Sequence, residues 1–126
     1  MRAVDTNVLV RLVTRDHAKQ VAAAEAFVEG GAWVSHLALA EATRVLVAVY
    51  GRQPREIAKA VEMLLNHRQL TLQDSETVAS ALQSFRKRPA LGFSDCLMLE
   101  AARRAGHLPL GTFDRRLARL EGAERL

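Results

Sequence analysis

Four acidic residues stand at positions where an acid invites an explanation. Asp5 ends a short apolar stretch, Arg2 to Asp5, that reads as a buried strand, and Asp114 follows a second strand, His107 to Thr112. Ligands of an open parallel sheet bind beyond the carboxyl ends of its strands, so both side chains are expected at the same edge. A helix N-cap is the plainer role for either aspartate. Asp74, just ahead of a helical stretch from Ser75 to Lys87, shows the pattern of a cap and nothing more. Glu41 lies in a strongly apolar helical stretch, Leu37 to Tyr50, with Leu37, Val45 and Ala48 as its neighbours at i−4, i+4 and i+7. That stripe is expected to face inward, where an unpaired carboxylate is expensive. Arg44, at i+3, offers the alternative of a surface pair. Asp95 shares a helix face with Met98, Leu99 and Ala102, while Glu100, Arg103 and Arg104 take the opposite one. Its first-turn position also suits an acid through the helix dipole, which explains its place but not its inward direction.

If the four acids converge, their repulsion is relieved either by protonation of some or by a cation among them. Oxygen-only donors suit Mg²⁺ or Mn²⁺. Zinc is disfavoured: His17, His36, His67 and His107 show no paired ligand spacing, and Cys96 stands alone. The histidines read as surface or structural residues. There is no G-x-x-x-x-G-K-[ST] or G-x-G-x-x-G phosphate loop.

The elements that must position these acids can be read along the chain. Helical spacing covers Thr6 to Thr14 and His17 to Glu29, the latter stopped by Gly30-Gly31. Ala32 to Val34 is a short strand, and Pro54 opens a helix that runs to about His67. Leu70 to Leu72 alternates as a strand, and Pro89 and Gly92 mark a loop. Ser94 is expected to cap a helix over Asp95–Ala105, stopped by Gly106. Asp114 to Leu120 reads as a short helix and Ala123 to Leu126 as a last strand. Strands alternating with helices predict an α/β fold with a parallel sheet covered on both faces.

The chain has 126 residues, the size of one domain spanning 1–126. With 49% hydrophobic and 25% charged residues, general disorder is excluded. The longest apolar run, Val45 to Tyr50, is too short to cross a bilayer, and Asp5 interrupts any apolar leader. A single cysteine allows no internal disulfide, which suits a cytoplasmic location. The net charge is +4, and 15 of the 18 basic residues are arginine. A GC-rich genome accounts for arginine equally well, but its planar fork suits phosphate. Arg15, Arg44, Arg52, Arg86, Arg88, Arg115 and Arg116 are the candidates for phosphate contacts. Aromatic residues, at 5%, are too few for a base-stacking platform. The helix Leu37–Tyr50 is apolar over more than one sheet face can cover, so Leu39, Leu46, Val49 and Tyr50 are expected to meet another chain in a homodimer.

The stretches Val4-Asp5-Thr6-Asn7, Ala40-Glu41, Phe93-Ser94-Asp95-Cys96-Leu97 and Thr112-Phe113-Asp114 together resemble the motifs of PIN-domain ribonucleases. Length and motif order resemble the VapC-type toxins of type II toxin–antitoxin pairs. The resemblance implies a three-layer α/β/α sandwich around a short parallel sheet. It further implies a metal-dependent endoribonuclease that uses Mg²⁺, with Mn²⁺ able to substitute, and leaves a 3′-hydroxyl and a 5′-phosphate. By motif match, Asp5, Glu41, Asp95 and Asp114 are the catalytic and metal-binding residues, supported by Thr6, Asn7 and Thr112 through hydrogen bonds. The partners implied are an RNA substrate and, for a toxin, a cognate antitoxin protein, with no membrane. The chemistry agrees with the residues: metal-held water can attack a phosphodiester with carboxylates as ligands and proton acceptors. Three other readings compete. A housekeeping RNA-processing nuclease would need no antitoxin. A non-catalytic RNA- or protein-binding module accounts for the arginines but not for Glu41 and Asp95. A phosphoryl-accepting receiver domain would have an acidic pair at the first strand and a late lysine, whereas Val4 and Thr6 flank Asp5 and the last lysine is Lys87.

Overall fold

The computed structural model describes all 126 residues. The elements alternate as β1 (Arg2–Ala3), α1 (Thr6–Thr14), α2 (Ala18–Val28), β2 (Ala32–Val34), α3 (His36–Ala48), α4 (Pro54–Leu65), β3 (Leu70–Leu72), α5 (Ser75–Lys87), α6 (Phe93–Ala105), β4 (Leu110–Thr112) and β5 (Ala123–Arg125). Short 3₁₀ turns at Pro89–Leu91 and Leu117–Arg119 complete the chain.

Local chemistry sets the helix boundaries. The Asp5 side chain accepts from the Val8 N–H to open α1, and Arg15 closes that helix in the left-handed region. The imidazole of His17 accepts from the Gln20 N–H at the start of α2. Gln53 and Glu56 form a reciprocal capping box around Pro54 at the head of α4. At α6 the cap is Gly92, not Ser94. Gly92 has φ +81°, which only glycine adopts without strain, and the helix therefore begins at Phe93. Ser94 is thereby drawn into the first turn and freed for a side-chain contact described below.

β1, β2 and β3 form a parallel ladder in that order, with Ala3 opposite Trp33 and Trp33 opposite Thr71. β4 and β5 form a separate two-stranded parallel ladder. The expected buried strand Arg2–Asp5 is shorter and more exposed. As the edge strand of its ladder β1 has a hydrogen-bonded neighbour on one side only; of its stretch only Val4, whose N–H reaches Trp33 O, is buried. The row Val4, Val34 and Leu72 faces the core, whereas Ala3, Trp33 and Thr71 retain exposure. Helices and strands pack around one apolar cluster of 29 buried residues, giving an α/β sandwich with a small parallel sheet.

The buried side of α3 is Ala38, Leu39, Ala42, Thr43 and Leu46. This overturns two expectations. Leu39 and Leu46 are 1% exposed, so both belong to the core and cannot meet another chain. Of the stripe Leu37, Glu41, Val45 and Ala48, Val45 packs against the core while the other three turn outward instead of inward, with Leu37 69% exposed. With apolar residues on nearly every side of α3, periodicity cannot choose its inner face; packing against the other helices, α1 foremost, chooses it. Val49 is exposed, and the half-buried Tyr50 accepts a hydrogen bond from Arg11 through its hydroxyl at 2.8 Å. No helix is long and apolar enough to cross a membrane.

Candidate active site

Asp5, at the end of β1, lies in an extended backbone (ψ −179°) that turns into α1. Its Oδ1 accepts from Val8 N at 3.1 Å, and its Oδ2 has no protein partner. The next residue, Thr6, points its hydroxyl across to α3 and donates to Glu41 Oε2 at 3.0 Å. Glu41 is exposed, a correction to its expected inward position, and its partner is Thr6 rather than Arg44. Thr6 thus links the first and second motifs by a hydrogen bond.

Asp95 is half-buried in the first turn of α6, and no protein group donates to its carboxylate. Burial raises its pKa above the ordinary aspartate value, and the negative charge of Asp114 pushes in the same direction. The positive charge of Arg44 opposes both. Arg44 is held nearby by its own hydrogen bond, Nε to Ser94 Oγ at 3.3 Å. Sequence reasoning assigned Ser94 to a cap and Arg44 to a surface pair or an RNA contact, and missed this bridge between α3 and α6. The available signal was Gly92: a glycine two residues ahead allows the positive φ from which the helix can start early, which draws the serine into the first turn.

Asp114 follows β4, in the other ladder from Asp5. Its Oδ1 accepts from the N–H groups of Arg116 at 2.8 Å and Leu117 at 3.0 Å. These two donors hold its pKa below the ordinary value, Leu117 first. Thr112 Oγ1 accepts from the Asp114 N–H at 3.0 Å and so fixes the turn from β4 into the acid. The turn beyond is a 3₁₀ segment, Leu117–Arg119, in place of the expected helix Asp114–Leu120. Asn7 takes no part in this group. It lines a cleft of about 350 Å³ between α1 and α2 together with Val8, Arg11 and Phe27.

The structure therefore pairs Thr6 with Glu41 and brings Asp95 and Asp114 close enough to feel each other's charge. No three of the acidic, histidine or cysteine side chains converge tightly enough to chelate an ion as they stand. In kind the donors fit a hard divalent cation: every candidate is a carboxylate, and the charge of Asp114 adds to burial in raising the pKa of Asp95. His17 and His67 use Nδ1 to accept backbone N–H groups and serve as structural residues.

Residues 2–123 match the family model of the PIN domain, and the chain belongs to that family. Its members are typically metal-dependent nucleases that act on RNA. No curated protein and no solved structure matches the chain.

Proposed function

We propose that the protein is an Mg²⁺-dependent endoribonuclease, with Mn²⁺ able to substitute, and that Asp5, Glu41, Asp95 and Asp114 are its catalytic and metal-binding residues. One observation carries this reading. Each of the four keeps at least one carboxylate oxygen without a protein donor, whereas Asp74 uses both of its oxygens in capping. When bound, a divalent cation at these oxygens lowers the pKa of water and neutralises phosphate charge. The chain's own residues do the rest. Asp95, whose pKa is raised, is suited to accept a proton from the attacking water. Thr6 fixes Glu41, Thr112 fixes the Asp114 turn, and Arg44 adds a positive charge beside Asp95 that can face the phosphate.

The finer biological proposal is the toxin of a type II toxin–antitoxin pair, supported by chain length and motif order. Inhibition of cleavage by the product of a neighbouring small reading frame tests it; a nuclease with no such inhibitor is the housekeeping alternative. Leu37 of α3 and Met98 of α6 are exposed and line one cleft, an apolar patch that supports the homodimer proposal. A monomer by light scattering at tens of micromolar contradicts it. The direct test of the metal proposal is a pair of thermal melts, in EDTA and in Mn²⁺. At a hundredfold excess over Kd, the cation should stabilise the wild type by about 2.7 kcal/mol, or roughly 8–16 °C for a domain of this size. Asp95→Asn should lose most of that shift. An equal shift in both proteins removes Asp95 from the site.

A further inference from the structure

We propose that a cleft lined by Arg88, Arg116 and Arg119 is a phosphate subsite that holds the RNA backbone beside the candidate acids. The proposal rests on the endoribonuclease reading above and adds where the RNA runs. The cleft measures about 400 Å³ and lies between the end of α5 and the turn that follows β4. Its lining is those three arginines with Pro89, Ala90 and Leu91, and it contains no acid.

None of the three guanidinium groups makes an ion pair, whereas six of the other twelve arginines do. Arg86 pairs with Glu62 at 3.0 Å, Arg104 with Glu76 at 3.1 Å, and Arg103 with Glu100 at 3.4 Å. The remaining pairs, on Arg11, Arg15 and Arg52, leave the cleft equally untouched. Three cations gathered around one concavity whose lining holds no acid repel one another. A phosphodiester relieves that repulsion, and the guanidinium fork suits its two free oxygens.

The position fits as well as the charge. Arg116 lies two residues beyond Asp114, whose carboxylate accepts its backbone N–H, and its charge is felt there. A strand whose backbone lies in the cleft therefore passes the last of the four acids. The lining offers no aromatic ring, so bases would not be read there. An acidic protein segment would meet the same charges but would find only Pro89, Ala90 and Leu91 for its apolar side chains. The cleft fits a bare phosphate chain better.

The test compares two triple variants of equal net charge. Arg88→Gln, Arg116→Gln and Arg119→Gln empties the cleft of charge. Arg15→Gln, Arg86→Gln and Arg104→Gln removes three arginines that are already paired with acids. Binding of a labelled single-stranded RNA is measured in an Asp95→Asn background across a salt series. The cleft triple should bind about tenfold more weakly or worse, with the salt slope reduced by about 2; the control triple should change both far less. In the active enzyme the double variant Arg88→Gln with Arg119→Gln, which keeps Arg116 and its charge beside Asp114, should raise KM for a long RNA far more than it lowers kcat or the cleavage of a trinucleotide. If the cleft triple fails to match the wild-type melting temperature, Arg119→Gln alone should lower the slope by about 0.7. Equal weakening in both triples means plain net charge and overturns the subsite. So does RNA affinity left unchanged while binding of polyglutamate is lost, which would assign the cleft to a protein. Failure of the nuclease reading is a separate result, the absence of metal-dependent cleavage by the wild type, and leaves the comparison of the two triples intact.

Discussion

Asp5 and Asp74 occupy equivalent places and behave differently. Each follows a strand of the same three-stranded sheet, β1 or β3, and each caps the next helix, α1 or α5. Asp74 commits both oxygens: Oδ1 accepts from Thr77 N at 3.4 Å and Oδ2 from Thr77 Oγ1 at 2.6 Å. The Thr77 hydroxyl is the main reason its pKa falls below the ordinary value. Asp5 commits one oxygen, to Val8 N, and keeps the other free. The caps differ in backbone, extended at Asp5 and left-handed at Asp74, and in the residue three further on, where Thr77 supplies an N–H and an O–H but Val8 supplies only an N–H. A cap that uses both oxygens is suited to stability. A cap that spares one, with Thr6 beside it reaching to Glu41, leaves that oxygen free for the ligand role proposed above.

This comparison can be broken by exchange. Asp5→Asn should cut RNA cleavage by about a hundredfold or more, while Asp74→Asn, which can still cap, should stay active; cleavage rates and melting curves measured side by side decide it. Giving Asp5 the partner that Asp74 has, through Val8→Thr, should occupy its second oxygen and lower activity by roughly tenfold, without lowering the melting temperature. The reciprocal Thr77→Val should leave cleavage intact and melt lower. Thr6→Val should cost somewhat less activity than Val8→Thr, and Thr6→Ser should restore it, because only the hydroxyl to Glu41 matters in this account.

The smallest effect is on stability. The folded state raises the pKa of Asp95, so its ionised form destabilises the metal-free protein above the ordinary carboxylate range. Asp95→Asn should therefore melt at or above the wild type at neutral pH in EDTA, and the gap should close as pH falls and Asp95 protonates. Asp114 has the opposite sign. Its depressed pKa contributes stability that is present above the unfolded value and lost as pH falls through the folded one. Carboxyl NMR titration should place Asp95 above 3.8 and Asp114 below it. Removing the charge at Asp114 should move Asp95 part of the way down.

Much of this was legible in the sequence because caps and breakers are local. The helix Thr6–Thr14 and the strands Ala32–Val34 and Leu70–Leu72 lie where turn residues and spacing put them. The order of the four acids led to the PIN domain family, which the match over residues 2–123 supports. What was not legible depends on packing between distant segments. The inner face of α3 could not be chosen because apolar residues surround it, so Glu41 was expected inside and is exposed. The bridge from Arg44 to Ser94 joins residues 50 positions apart and has no local signature. The division of the strands into two ladders likewise has no mark in the sequence.

The central claim is that four acids on three helices and a turn act together to hydrolyse RNA with a divalent cation. Cleavage of a labelled RNA, followed as Mg²⁺ is titrated into EDTA-treated protein, tests it most directly. The account predicts no cleavage without the cation, cleavage that rises with Mg²⁺ and is restored by Mn²⁺, the same curve for Asp74→Asn, and a loss of about a hundredfold or more for Glu41→Gln. Cleavage that persists in EDTA, or a Glu41→Gln curve superimposed on that of the wild type, contradicts it.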